Sequence, residues 1–251
     1  MKRRDFIVVP GLIILTTQLN SAMAQFNIGG AIGAATDAAK AASLTDDDVR
    51  KYAAQMAVYS DKRAKIAPAG DKYAQRLTAL TSACQEDQGL KLNYKVYLTK
   101  EVNAFAMADG TIRFYSGLMD MMTDDEIRYV IGHEIGHVKA GHTKKRMQTA
   151  LTASAAQKGV AASNTRAGVL ADSAAGDLIV QVVKAQHSQS NEREADDYAM
   201  QFMSRRKYDR KACVTALEKL DKMSGGGGGS NWLSTHPSPR ERADRMRKQV
   251  A

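Results

Sequence analysis

A chain of 251 residues with 44% hydrophobic composition is long enough to bury one substantial core, so disorder is excluded as its default state. The formal charge of +9 is carried by DKRAK, HTKKR, SRRKYDRK and RERADRMRK, which are interrupted by acids and lack interleaved aromatics. That pattern argues against nucleic acid as a partner and suits peripheral association with an anionic membrane surface.

The chain opens on MKRR, continues through the apolar FIVVPGLIILTTQL and closes the run with AMA, which is the pattern of a secretory signal cut after Ala24. Pro10 and Gly11 interrupt a run already short for a membrane-spanning helix. The mature protein is therefore expected in the periplasm or cell envelope. Its route is either general secretion or, on Arg3-Arg4-Asp5-Phe6-Ile7, the twin-arginine pathway. Cutting there removes three bases and one acid, lowering the net charge by two, to +7. In an oxidising compartment Cys84 and Cys213 are either one disulfide or two buried thiols.

Residues 25–45 are Gly/Ala-rich and read as a flexible lead-in, leaving 46–251 as the folded domain. From Asp46 acids begin a helix whose apolar residues keep three-to-four spacing until Pro68, and GDKYAQRLTALTSAC continues as a second. The period then changes to two in NYKVYLTK, VNAFAMA and TIRFYS, the last two separated by the hairpin dipeptide Asp109-Gly110. These predict a small antiparallel sheet of about three strands. A capping box, Thr123-Asp124-Asp125-Glu126, starts a helix expected to run through residue 142. Residues 150–186 are rich in Ala and Ser and read either as two small-residue helices or as a mobile lid. Helices over about 188–206 and 209–223 follow, then a flexible SGGGGGS connector and a final basic helix. The fold class is α+β and mainly helical.

The chemistry is carried by His133-Glu134-Ile135-Gly136-His137, an H-E-x-x-H pattern in mid-helix. Residues four apart lie about 40° apart around a helix, so both histidines project from one face toward one ion. Two neutral imidazoles and an oxygen ligand suit zinc, one per chain. Glu134 is placed to take a proton from an attacking water and pass it to a leaving amine. On a continuous helix His142 lies about 140° round from His137, so it reads as a structural or surface histidine. The third ligand is expected in NEREADDYAM, where Glu192 and Asp196, four apart, compete with Glu194 and Asp197, three apart.

With these motifs, VNAFAMADGTIRFYSGLMD ahead of the helix and HPSPRER near the end, the chain resembles the zinc metallopeptidase family of HtpX and the CAAX prenyl protease. The likeness is strongest to that family's exported bacterial branch, the LoiP type, and runs from about Leu44 to Arg247. The resemblance implies a gluzincin domain with a small antiparallel sheet beside the active-site helix. It implies zinc on His133, His137 and Glu192, with Glu134 as general base and Asp196 orienting a ligand histidine. It further implies that the strand Asn103, Ala104, Phe105 and Ala106 pairs with an extended substrate. His236, in H-P-x-x-x-x-R with Arg242, either donates to the oxyanion of the tetrahedral intermediate or binds zinc in a resting form. The implied function is an endopeptidase acting on unfolded or misassembled envelope proteins. Against it stands a latent-site chaperone or assembly factor for outer-membrane proteins. A zinc hydrolase of non-peptide substrates is weaker, because E-x-x-x-D and the strand edge have no role in it.

Overall fold

The computed structural model describes residues 43, 45–158, 182–224 and 231–250. The signal, nearly all of the lead-in, the central part of the Ala/Ser-rich stretch and the glycine connector lie outside the described residues.

Helix α1 (Asp46–Arg63) starts at a capping box between Thr45 and Asp48, with three acids at its positive end and Lys62 and Arg63 in its last turn. It stops short of Pro68 because the next residues are drawn into sheet-like bonds: Ala67 N–H donates to Val96 O at 2.9 Å and Leu98 N–H to Lys65 O at 2.7 Å. Helix α2 (Lys72–Thr81) is capped by the Asp71 side chain. Strands β1 (Glu86–Asp87) and β2 (Leu90–Lys91) form an antiparallel ribbon.

Strands β3 (Asn93–Tyr97), β4 (Ala104–Ala106) and β5 (Thr111–Tyr115) form a sheet in the order β3-β5-β4. The β4–β5 pair is the expected antiparallel hairpin, and its turn needs glycine: Gly110 has φ +88°, and a Cβ there would stand 2.0 Å from Lys91 O. The expectation of antiparallel pairing fails for β3, which joins β5 in parallel, so the sheet is mixed. Period-two patterning marks which residues are strands but carries no information on direction. After β3 the chain crosses to the far edge, forms β4 there and returns as β5 through the middle.

Helix α3 (Ser116–Met121) leads into α4 (Asp124–Lys139), whose predicted capping box is present: Thr123 N–H donates to Glu126 Oε2 at 2.7 Å. Then come α5 (His142–Lys158), α6 (Gln189–Arg205), α7 (Ala212–Ser224), a short α8 (Asn231–Thr235) and α9 (Pro239–Val250). The main core gathers Val96, Ile112 and Phe114 of the sheet with Ile127 and Ile131 of α4, Phe202 of α6, Leu217 of α7 and Trp232 of α8. A smaller core packs Val49 and Met56 of α1 on Tyr97, Phe105 and Met147. Cys84 and Cys213 are free, buried thiols, and burial pushes Cys213 up to about 12. Among the described residues, no helix is long and apolar enough to cross a membrane.

Among the described residues, helices α4 and α6 pack more extensively on one another than any other pair of elements, and two glycines let them close. A Cβ on Gly136 would meet Ala195 O at 2.9 Å and Ala195 Cα and Tyr198 Cβ at 3.0 Å; one on Gly132 would meet Phe202 Cδ1 at 2.9 Å. Each glycine precedes a histidine of H-E-x-x-H, so the residues that carry the motif are drawn tightly onto the helix that carries E-x-x-x-D.

Candidate metal centre

The α4 periodicity places His133 and His137 on the face toward α6, and their Nε2 atoms are 3.0 Å apart. Glu192, in the first turn of α6, reaches both: Oε1 is 3.2 Å from His137 Nε2 and Oε2 is 3.5 Å from His133 Nε2. His236, just after α8, comes in from a third direction, its Nδ1 3.1 Å from Glu192 Oε1 and 3.3 Å from His133 Nε2. The ligand atoms of these four residues lie within 4.8 Å of one another, and all four residues are buried.

The outer nitrogens of the two motif histidines are already engaged. His133 Nδ1 lies 3.0 Å from Asp196 Oδ1, which also accepts from Tyr129 OH at 2.8 Å and Arg242 Nη2 at 2.7 Å. Arg242 Nε donates to the other Asp196 oxygen at 2.8 Å, and its Nη1 faces Glu192 Oε2. Both lone pairs that remain, the two Nε2 atoms, therefore point at each other and at a carboxylate. With Nδ1 of His133 turned outward, the convergence of two ring nitrogens and a carboxylate could hold a cation, and N,N,O donors suit zinc.

The local charges hold these groups in metal-binding form. Burial, with the neighbouring His133 and His236, holds His137 well below its ordinary value and so neutral, outweighing Glu192. Burial alone would raise Glu192, but Arg242, His236 and His137 outweigh it and hold the carboxyl well below its ordinary range. The same contest, dominated by Arg242 and His133, lowers Asp196.

Glu134 is buried beside the cluster, its Oε1 3.6 Å from His236 Nε2 and without a hydrogen bond among the described residues. It lines a cavity with Ala104, Phe105 and Ala106 of β4, Arg146 of α5, Val182, Val183, His187 and His236. The cavity measures about 10 Å³, room for about one water. In this conformation it admits no peptide. Asn103 is not on its wall: its side chain accepts from the Ala104 N–H at 3.0 Å, and its backbone O accepts from Tyr115 N–H at 3.0 Å.

Glu194 stays outside the cluster, its side chain 63% exposed. His142 does not face away as a continuous helix would require. Helix α4 ends at Lys139, Gly141 takes φ +73°, and α5 begins at His142, which is buried with its Nδ1 3.0 Å from His137 Nδ1. His187 escaped the sequence reading altogether. It stacks on His137 with ring centroids 3.7 Å apart and is gripped by Arg146 Nη1. The available signal was a histidine five residues before Glu192, next to the helix-capping Ser188. Trp232, also unsingled, stacks on His236 with centroids 4.4 Å apart and fixes the plane of that ring.

A helix carrying H-E-x-x-H, locked against a helix carrying E-x-x-x-D around converging nitrogen and carboxylate donors, defines a metallopeptidase. The pattern of Peptidase family M48 matches residues 70–250, and the chain belongs to that family of metalloproteases. It is 43% identical over 252 residues to Metalloprotease LoiP of Escherichia coli, covering 100% of this chain and 98% of that protein. It is 37% identical over 222 residues to Metalloprotease YcaL of the same organism, covering 88% of this chain and 87% of YcaL. It also shares 30% identity over 175 residues with the E. coli Beta-barrel assembly-enhancing protease, covering 60% of this chain and 34% of that protein.

Proposed function

We propose that the protein is a zinc-dependent endopeptidase of the cell envelope that hydrolyses peptide bonds of unfolded or misassembled proteins. The observation that carries the reading is the convergence of His133, His137 and Glu192 beside a buried Glu134 oxygen that has no hydrogen-bond partner among the described residues. Envelope clients are supported by the signal-like N-terminus and by the likeness to the E. coli Beta-barrel assembly-enhancing protease.

His133, His137 and Glu192 would hold the zinc, with Asp196, itself held by Arg242, orienting His133. Bound zinc supplies Lewis-acid polarisation of water and of the scissile carbonyl. Glu134 takes the proton from the attacking water and delivers it to the leaving amine. His236 Nε2, on the Glu134 side of its ring, is positioned to donate to the developing oxyanion. The backbone of β4 at 104–106 aligns an extended substrate by strand addition, while Phe105 itself packs against Tyr97 and Tyr115. Asn103 is left out of the proposed substrate contacts, because it does not line the cavity and its side-chain oxygen accepts from the Ala104 N–H.

Glu134→Gln is expected to retain one zinc per chain and lose cleavage of casein. A zinc-loaded variant cutting at the wild-type rate overturns the reading. The narrow cavity favours one second reading, a latent-site assembly factor. Wild-type protein that binds unfolded outer-membrane clients without cutting them, with Glu134→Gln still complementing a deletion, would favour that reading instead.

A further inference from the structure

We propose that His142, held by Glu194, is a positioning residue that fixes the ring tautomer of His137 for metal binding. The inference rests on the reading of His137 as a zinc ligand.

The two Nδ1 atoms are 3.0 Å apart. A hydrogen bond at that separation needs one proton between the two atoms, one nitrogen donating and the other bare. His137 Nε2 faces Glu192 and His133 Nε2 and must keep its lone pair free to bind a cation. The His137 proton is thereby placed on Nδ1, which donates to His142. His142 Nδ1 is then bare and its proton sits on Nε2, which lies 3.3 Å from Glu194 Oε2 and donates to it. A single assignment satisfies the whole chain, and it runs from the buried ligand to a carboxylate in solvent.

The fold provides this contact deliberately in the sense of geometry. Ala140 N–H closes α4 on Gly136 O at 2.9 Å, and Gly141 turns the chain through the left-handed region. The new helix therefore starts with His142 folded back over the last turn of the old one. The arrangement matches the one at His133, whose Nδ1 meets Asp196. Each motif histidine has its own acceptor: a buried carboxylate for His133 and an imidazole backed by a carboxylate for His137. Glu194, the acid that loses the competition with Glu192 for the cluster, gains a place one step further out.

The test measures zinc affinity of the full chain by competition with a chromophoric chelator, with His137→Ala as ligand control. His142→Leu, which removes the acceptor, is expected to weaken zinc binding 10–100-fold. His142→Asn puts a carbonyl oxygen near the position of Nδ1 and is expected to restore affinity to within a few-fold. The cobalt-substituted protein should show a shifted d–d spectrum in His142→Leu and a wild-type spectrum in His142→Asn. Circular dichroism of the metal-free variants checks that each is folded. Wild-type affinity in His142→Leu, or a His142→Asn variant as weak as His142→Leu, overturns the proposal. Wild-type affinity in His137→Ala overturns the zinc reading beneath it, and with it the proposal.

Discussion

Gly136→Ala tests whether the separation of α4 and α6 sets the metal site. The added Cβ would stand 2.9 Å from Ala195 O and 3.0 Å from both Ala195 Cα and Tyr198 Cβ. Two of these are backbone atoms of α6 and cannot rotate away. Non-bonded carbons settle near 3.5–4.0 Å, so relief requires α6 to retreat by roughly half an ångström. Overpacking of this kind costs about 1–3 kcal/mol, and the better helix propensity of Ala returns about 1 kcal/mol. The net loss is about 0–2 kcal/mol, which lowers Tm by at most about 8 °C in a domain of this size. Function should suffer more. Ala195 lies one turn beyond Glu192, so the retreat withdraws Glu192 from His133 and His137. A misplacement of about 1 Å can cost ~100-fold in rate, so half of that predicts about a tenfold loss in kcat/KM with weakened zinc binding. Thermal unfolding in chelator, zinc competition and turnover of a fluorogenic peptide measure the three effects. Gly70→Ala is the control, because nothing lies within 4 Å of a Cβ there, and it should leave all three unchanged or gain up to about 1 kcal/mol. Wild-type zinc affinity and turnover in Gly136→Ala would refute the link between helix separation and donor geometry.

Chelation should lower Tm by about 8–16 °C relative to protein at zinc a thousandfold above Kd, because binding to the folded state alone is worth about 4 kcal/mol; a Tm indifferent to zinc counts against a resident metal. Arg242→Met should destabilise the metal-free protein by about 3–5 kcal/mol, since Asp196 and Glu192 lose the cation that lies between them in a dry interior. Arg242→Lys should recover little, lacking the fork that serves both Asp196 oxygens, and urea unfolding in chelator measures both. Asp61 is raised by burial but lowered further by bonds from Arg113, Lys95 and Tyr97, with a net downward shift. Its stabilisation is therefore complete above the unfolded carboxylate value of about 3.9 and is lost as pH falls toward the folded value. The penalty of Asp61→Asn should be full at pH 7 and shrink below about pH 4, and urea titrations showing the same penalty throughout would contradict this.

The parts of the protein legible in the sequence are those in which function rides on local period. Local period puts His133 and His137 on one helical face and narrows the acids to Glu192 with Asp196 or Glu194 with Asp197; the family resemblance, not the period, singles out Glu192 and Asp196. The capping box at Thr123 and the Asp109-Gly110 turn were legible for the same reason, since each is complete within a few residues. What escaped depends on contacts that period does not encode. The direction of β3 depends on where its partner lies, and the neighbours of His187 and Trp232 are set by three separate helices meeting. His142 is the instructive failure, because its signal was local after all. A 140° separation holds only on an unbroken helix, and Gly141 follows Lys139 and Ala140 at the position where glycine commonly ends one. Had the glycine been taken as a stop, the residue after it would have been free to fold back onto His137, as it does. Helical-wheel angles therefore hold only between punctuation marks, and in this chain the most consequential punctuation mark stands one residue before a histidine that touches His137.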